Sequence, residues 1–314
     1  VFKGKRSNKY NRIRKLKFSI NIFWNRWLHQ KMQWIPTLTL FLFLYPAGWF
    51  IGHFSYLFNR DISSNNLSII GTIITFIMFL SLLPSWGFIR WKTNNLWVSF
   101  GLDFKNKFTA LKIFLSGFIF SVFLILILIL FCFIFGWIDR VDNIKFTELF
   151  NAILLIVGIV FAEEIVFRGW LMEEMVLLFG MRRGMVLQSA IFSLAHYRSD
   201  IGLLALIPFF TGLFLFGLVL TLRRTIDRGS LWGCIGLHGG LVGIWYLFDS
   251  GMVVFSSDIP YYLLGPSKYM INPIGSVIGL IVLLIIIFFQ RRLFARTGRF
   301  LASTVNASFK DETP

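Results

Sequence analysis

The chain has 314 residues, of which 56% are hydrophobic, 18% aromatic and only 15% charged, with a mean hydropathy of +0.72. A soluble domain carries about 25% charged residues, so this balance excludes an ordinary soluble enzyme and indicates a membrane protein. The formal net charge of +16 does not indicate a nucleic-acid partner, because an apolar chain follows the basic start at once and no recognition motif appears.

Residues 1–34 hold ten Lys and Arg and no Asp or Glu. They read as a basic juxtamembrane extension on anionic lipid headgroups. Between Phe18 and Trp34, the residues Phe23, Trp24, Trp27, Leu28 and Trp34 alternate with Arg26 and Lys31, which predicts a helix lying in the interface. No short apolar run with a small-residue cleavage site follows, so the segment does not read as a signal peptide. A bilayer core needs about 20 apolar residues per helix. Eight stretches answer to it: 35–58, 67–90, 108–138, 146–168, 184–199, 201–223, 230–248 and 272–290. The fifth is short and fits only inside a bundle. The expected fold is an all-α polytopic membrane protein, a bundle of about eight transmembrane helices. It forms one domain over 35–290, between the basic extension and a polar tail at 291–314, with no internal repeat.

Loop charges give an orientation. Segments 90–107, 168–184, 223–228 and 291–314 carry Arg90, Lys92, Lys105, Lys107, Arg168, Arg182, Arg183, Arg223, Arg224, Arg228, Arg291, Arg292, Arg296 and Arg299. The opposite loops carry Arg60, Arg140, Lys145, Arg198 and Lys268. The excess places both termini in the cytoplasm and the aromatic loop 249–271 outside, packed on the outer surface. Cys132 and Cys234 fall in apolar runs without metal spacing, so they are expected to be packing residues.

Most spans are uncharged inside. Span four, however, ends FAEEIVFRG with Glu163, Glu164 and Arg168, span five holds Phe192 and His196, and span seven holds His238 in GLHGG. Each ionisable group at a helix centre costs about 2.5–3.5 kcal/mol on insertion scales. Glu164 and Arg168 are spaced to pair along one helix face, whereas Glu163 is rotated by about 100° and needs other partners. His196 and His238 are the candidates, and a Glu with two imidazoles can hold and polarise a water or a metal. The bland alternative is an interfacial charge cluster at the cytoplasmic end of span four. At 1.5 Å per residue, Glu163 lies about 8 Å from that end and His238 about 12 Å into span seven. His196, far along span five, matches that depth only if its helix starts well outside the bilayer or tilts. Gly236 and Gly240, like Gly239 and Gly243, read as close helix contacts. Glu173 and Glu174 read as part of an interfacial amphipathic helix, and Arg182 and Arg183 as headgroup contacts.

EEIVFRG, then FSLAH, then a His in a glycine-rich helix resembles the CPBP family, the CAAX-prenyl-protease and bacteriocin-processing (Abi) group of intramembrane proteases, whose motifs are EExxxR, FxxxH and HxxxN/D. Glu163, Glu164 and Arg168 match the first, Phe192 and His196 the second, and His238 the third, although Val242 stands where Asn or Asp would complete it. The resemblance covers about 108–250. It implies that Glu163 activates water for peptide hydrolysis, His196 holds the water or stabilises the oxyanion, and His238 is a further ligand or oxyanion donor. Glu164 and Arg168 would orient the site. It leaves metal dependence open, and Glu163, His196 and His238 would be the ligands of a divalent ion such as zinc. At position 242 an amide could donate to the oxyanion, a contact worth about 10²–10³ in rate; valine cannot.

Three functions compete. The first is an intramembrane endopeptidase of glutamic or metallo type, acting from the cytoplasmic side on a membrane-bound or lipidated peptide. The second is a non-catalytic subunit or assembly factor of a larger membrane complex, which Val242 and the basic extension favour. The GLHGG form, associated with cyanobacterial and plastid members of the family, points that reading toward a photosynthetic complex, so the membrane is either an inner (plasma) or a thylakoid one. The third is a proton-relay transporter, which lacks the expected broken inverted-repeat helices.

Overall fold

The computed structural model describes residues 34–54, 64–91, 93, 95–103, 105–198, 201–256, 258–267 and 270–290. The expected basic extension before residue 34 and the tail 291–314 lie outside the described residues. The chain divides into two compact units, Val1–Leu96 and Trp97–Pro314.

In the first unit α1 (Trp34–Phe54) packs against α2 (Ser64–Arg90). Gly48 of α1 abuts Thr75 of α2 with no space for a Cβ. Such close backbone approach is how apolar helices gain packing contacts where water supplies no driving force.

In the second unit α3 (Lys107–Ile134) opens on Asn106, whose side chain accepts from the Thr109 N–H at 3.1 Å. This satisfies one donor that the first turn leaves unpaired. Strand β1 (Ile138–Val141) follows, and then α4, one continuous helix over Phe146–Phe179. The chain continues through α5 (Met181–Ala195), α6 (Leu203–Ile226), α7 (Trp232–Leu247), β2 (Val253–Phe255) and α8 (Val277–Gln290). β1 and β2 form a two-stranded antiparallel sheet, a small departure from the all-α expectation.

The described residues are overwhelmingly helical, and four helices are long and apolar enough to cross a membrane: Ile70–Arg90, Lys107–Ile134, Phe146–Phe179 and Leu203–Ile226. Trp34–Gly48 and Val277–Gln290 are shorter apolar helices. One boundary needs correction. The expected span 146–168 does not stop near Arg168; α4 runs on to Phe179. Glu173 and Glu174 therefore do not lie on a separate interfacial helix. Glu174 is fully buried, and Glu173 pairs with Arg224 at 2.9 Å.

The glycines of α7 explain how the unit is assembled. Gly117 of α3 meets the Gly233 carbonyl, Gly236 meets the Phe114 carbonyl and Gly240 meets Ser121, so α3 and α7 run parallel in backbone contact. The other stripe, Gly239 and Gly243, receives Ile156 of α4. Both stripes are packing faces, as their spacing predicted. Cys132 and Cys234 are buried free thiols; Cys132 packs with Leu128 and Leu264. After α7, Phe248 and Val253, the first residue of β2, pack on Ile125 of α3.

Candidate active site

The sequence of α4 and α5 places two of the site residues by simple counting. α4 ends at Phe179, Gly180 takes φ = 78°, and α5 starts at Met181. That left-handed backbone suits glycine and reverses the chain. Gly184 then lies on the backbone of Met175 and Val176 without space for a Cβ, which closes the hairpin. Residues equidistant from Gly180 therefore face one another. Glu163 is 17 residues before the turn and His196 is 16 after it, so both lie about 25 Å along their helices. The depth mismatch expected for His196 disappears, because α4 runs beyond the expected end of span four, to Phe179.

α4 is not a uniform α-helix around the glutamates. π-helical turns at Leu155–Val160 and Ile165–Leu171 flank the α-helical Phe161–Glu164. Such turns are rare and concentrate at functional sites. They change the phase of the helix on both sides of Glu163 and Glu164.

The two carboxylates have different neighbours. Glu164 is fully buried and its Oε1 accepts from Arg168 Nη1 at 2.8 Å and from His238 Nδ1 at 2.7 Å. Arg168, also fully buried, lies over the Phe192 ring with its guanidinium carbon 3.9 Å from the centroid. Glu163 is partly open: its side chain is 27% exposed, and that of His196 is 28% exposed. Glu163 Oε2 stands 3.7 Å from His196 Nε2 and 3.8 Å from His238 Nε2. Both distances exceed direct hydrogen-bond range.

Both rings are aimed through their other nitrogen. A carbonyl only accepts, so the contact of His196 Nδ1 with Phe192 O at 2.8 Å puts a proton on that nitrogen. The Glu164 carboxylate does the same for His238 Nδ1. Both Nε2 atoms then point to one oxygen of Glu163. Aromatic edges fix the rings: Phe192 is 4.6 Å from the His196 ring, and Phe216 is 5.2 Å from the His238 ring. The structure thus brings together Glu163, Glu164, Arg168, Phe192, His196 and His238, the six residues singled out in the sequence. Val242 lies half-buried one turn beyond His238 and brings no donor.

Among the described residues no group of three or more His, Cys, Asp or Glu side chains is arranged to hold a metal ion.

Sequence reasoning missed four contributors. Arg224, counted as a loop charge, is 4% exposed and donates to the Arg168 carbonyl. Phe216 carries no motif signal. Gln188 and Thr221, joined at 3.1 Å in a fully buried contact, tie α5 to α6 beneath the site. Only Arg224 had a sequence signal: it directly follows Arg223 near a helix end, and adjacent helical residues point about 100° apart, so the two arginines meet different neighbours.

No curated protein and no solved structure matches the chain. Residues 17–95 match the model of a domain of unknown function, DUF8676. Residues 145–244, the stretch from the start of α4 to the last turn of α7 that holds all six clustered side chains, match the model of the Rce1-like family, described as type II CAAX prenyl endopeptidase Rce1-like, in agreement with the CPBP resemblance carried by the motifs.

Proposed function

We propose that the protein is a CPBP-type intramembrane endopeptidase in which Glu163, His196 and His238 activate water against a membrane-bound or lipidated peptide that enters from the cytoplasmic side. One observation carries this reading: both imidazole Nε2 atoms converge on Glu163 Oε2, at 3.7 and 3.8 Å, on the quarter-exposed edge of an otherwise sealed cluster. Those separations suit three groups that share a water rather than bonding to one another. Glu163 takes one proton of the water and His196 Nε2 accepts a hydrogen bond from the other. The resulting hydroxide attacks the scissile carbonyl. His238, when doubly protonated, donates Nε2–H to the developing oxyanion, with the Glu164 carboxylate on its opposite nitrogen. As the intermediate collapses, Glu163 returns its proton to the leaving amine. Arg168 holds Glu164, and Phe192 positions both Arg168 and His196. Membrane lipids are the surrounding partners, both termini face the cytoplasm, and the membrane is an inner (plasma) or thylakoid one.

The full chain in lipid nanodiscs, given a farnesylated CAAX peptide, tests this by mass spectrometry of the products. Release of the terminal peptide by the wild type and its loss in Glu163→Gln is the expected result. Equal product from both sinks the reading.

Val242 favours a second reading, a non-catalytic CPBP-fold subunit or assembly factor of a larger membrane complex, because an apolar side chain stands where the motif carries an amide or acid. In that case Glu163→Gln leaves complex assembly and phenotype unchanged.

A further inference from the structure

The π turns after Glu164 divert a backbone bond. In an α-helix the Met172 N–H would donate to the Arg168 carbonyl. Here it donates to Phe167 O instead. The Arg168 carbonyl is buried with its residue, and a buried carbonyl without a donor is costly. Its donor comes from another helix, the Nη1 of Arg224 on α6.

Arg224 makes more than this contact. Its Nη2 pairs with Glu173 at 2.9 Å and lies 3.4 Å from Ser99 O, and its Nε donates to Gly229 O at 3.2 Å. Gly229 lies in the turn that leads into α7, the helix of His238. A planar guanidinium with five donors can hold several acceptors at once. Arg224 thereby ties the backbone of the glutamate helix to the approach of the histidine helix. From Arg168 the connection runs through side chains: Arg168 Nη1 to Glu164 Oε1, and the same oxygen to His238 Nδ1.

We infer that Arg224 is a positioning residue for the hydrolytic site: it supplies the donor that lets α4 keep its π register below Glu164, and so sets the direction of Glu163 toward His196 and His238. Without it the Arg168 carbonyl recovers a donor most readily by relaxing to the Met172 N–H. That relaxation turns the glutamates relative to the Gly180 hairpin by a sizeable part of the about 100° between neighbouring helical residues. Arg224 touches no reacting atom. The inference rests on the proposed protease reading for its kinetic consequences, but not for its structural ones.

The test uses the full chain in nanodiscs and has two arms. The first compares the wild type, Arg224→Gln, Arg224→Lys and the exposed control Arg183→Gln on the farnesylated CAAX peptide. Displacement of a reacting group by about 1 Å costs about 10²-fold in rate. Arg224→Gln is therefore expected to lower kcat about 10²-fold with KM little changed. Arg224→Lys keeps a charge and donors but loses the fork, so its kcat falls about tenfold, between the two. Arg183→Gln matches the wild type. The second arm needs no activity. In a Glu163→Cys background, Arg224→Gln changes the alkylation rate of the new thiol by a small maleimide about tenfold, because its access changes, and Arg224→Lys changes it less. Unchanged kcat in Arg224→Lys and Arg224→Gln, or unchanged alkylation in both, overturns the inference. If Arg224→Gln does not fold, Arg224→Lys alone decides. If the wild type cleaves nothing, the protease reading fails while the alkylation arm still decides the role of Arg224.

Discussion

Replacing Arg168 with methionine leaves the buried Glu164 carboxylate without its guanidinium partner. Glu164 and Arg168 are both fully buried and 2.8 Å apart. At an effective dielectric of about 20, two unit charges at that distance attract by about 6 kcal/mol. Desolvation of both groups offsets most of this in the intact pair. In Arg168→Met the offset is gone on one side only: Glu164 keeps its burial and retains only His238 Nδ1, at 2.7 Å. Uncompensated buried charges of this kind cost about 3–5 kcal/mol. Losing the guanidinium 3.9 Å from the Phe192 centroid costs up to about 2 kcal/mol more. The double variant Glu164→Gln with Arg168→Met removes the stranded charge and is expected to regain most of the loss. The assay is unfolding of the full chain in mixed micelles by SDS titration, with the wild type and both variants side by side. The reasoning fails if Arg168→Met is no less stable than the double variant, since that would mean Glu164 and Arg168 do not act as a charge pair.

The packing of α7 makes further outcomes testable by the same unfolding measurement. A Cβ at Gly236 would strike the Phe114 carbonyl, so Gly236→Ala is expected to cost about 1–3 kcal/mol. Gly158 has nothing within 4 Å of its would-be Cβ, so Gly158→Ala is expected to be neutral or to stabilise by about 0.5–1 kcal/mol. At the far end of α7, Tyr246 Oη donates to Glu148 at 2.7 Å; Tyr246→Phe should lower stability slightly, because the solvent-facing bond is replaced by water, and leave peptide cleavage unchanged. If the missing donor limits the rate, Val242→Asn should raise kcat toward the about 10²–10³-fold worth of one oxyanion contact. A fully active wild type with no gain in Val242→Asn would show that another group already serves the oxyanion.

The site was legible because the membrane makes polar side chains conspicuous. Glu163, Glu164, Arg168, His196 and His238 each break an apolar run, and the cost of burying them requires that they meet. What the sequence obscured was the helix that carries them. Glu173 and Glu174 look like the polar edge of a membrane span, which puts the expected end of span four near Arg168. In the fold, Glu174 is buried and Glu173 has a partner in Arg224, so a charge pair across helices lets α4 continue to Phe179. Once it continues, the turn at Gly180 and the closure at Gly184 set His196 opposite Glu163 without tilt or overhang.

The π turns had no sequence signal, because no residue pattern marks the skipped bond; only its consequence is visible, an arginine on another helix donating to the carbonyl left over. Val242 is the reverse case, plain in the sequence and unchanged by the fold. The other residues keep an ordered geometry: both histidines are oriented through Nδ1, and Glu163 faces both Nε2 atoms. A scaffold released from catalysis would have little reason to keep two imidazoles aimed at one carboxylate oxygen, or to bury an Arg168–Glu164 pair whose clearest consequence is to orient one of them. The apolar residue at 242 therefore argues for a changed oxyanion contact more strongly than for a lost activity. Under the proposed protease reading, His238, held by Glu164, is the donor that would serve the oxyanion.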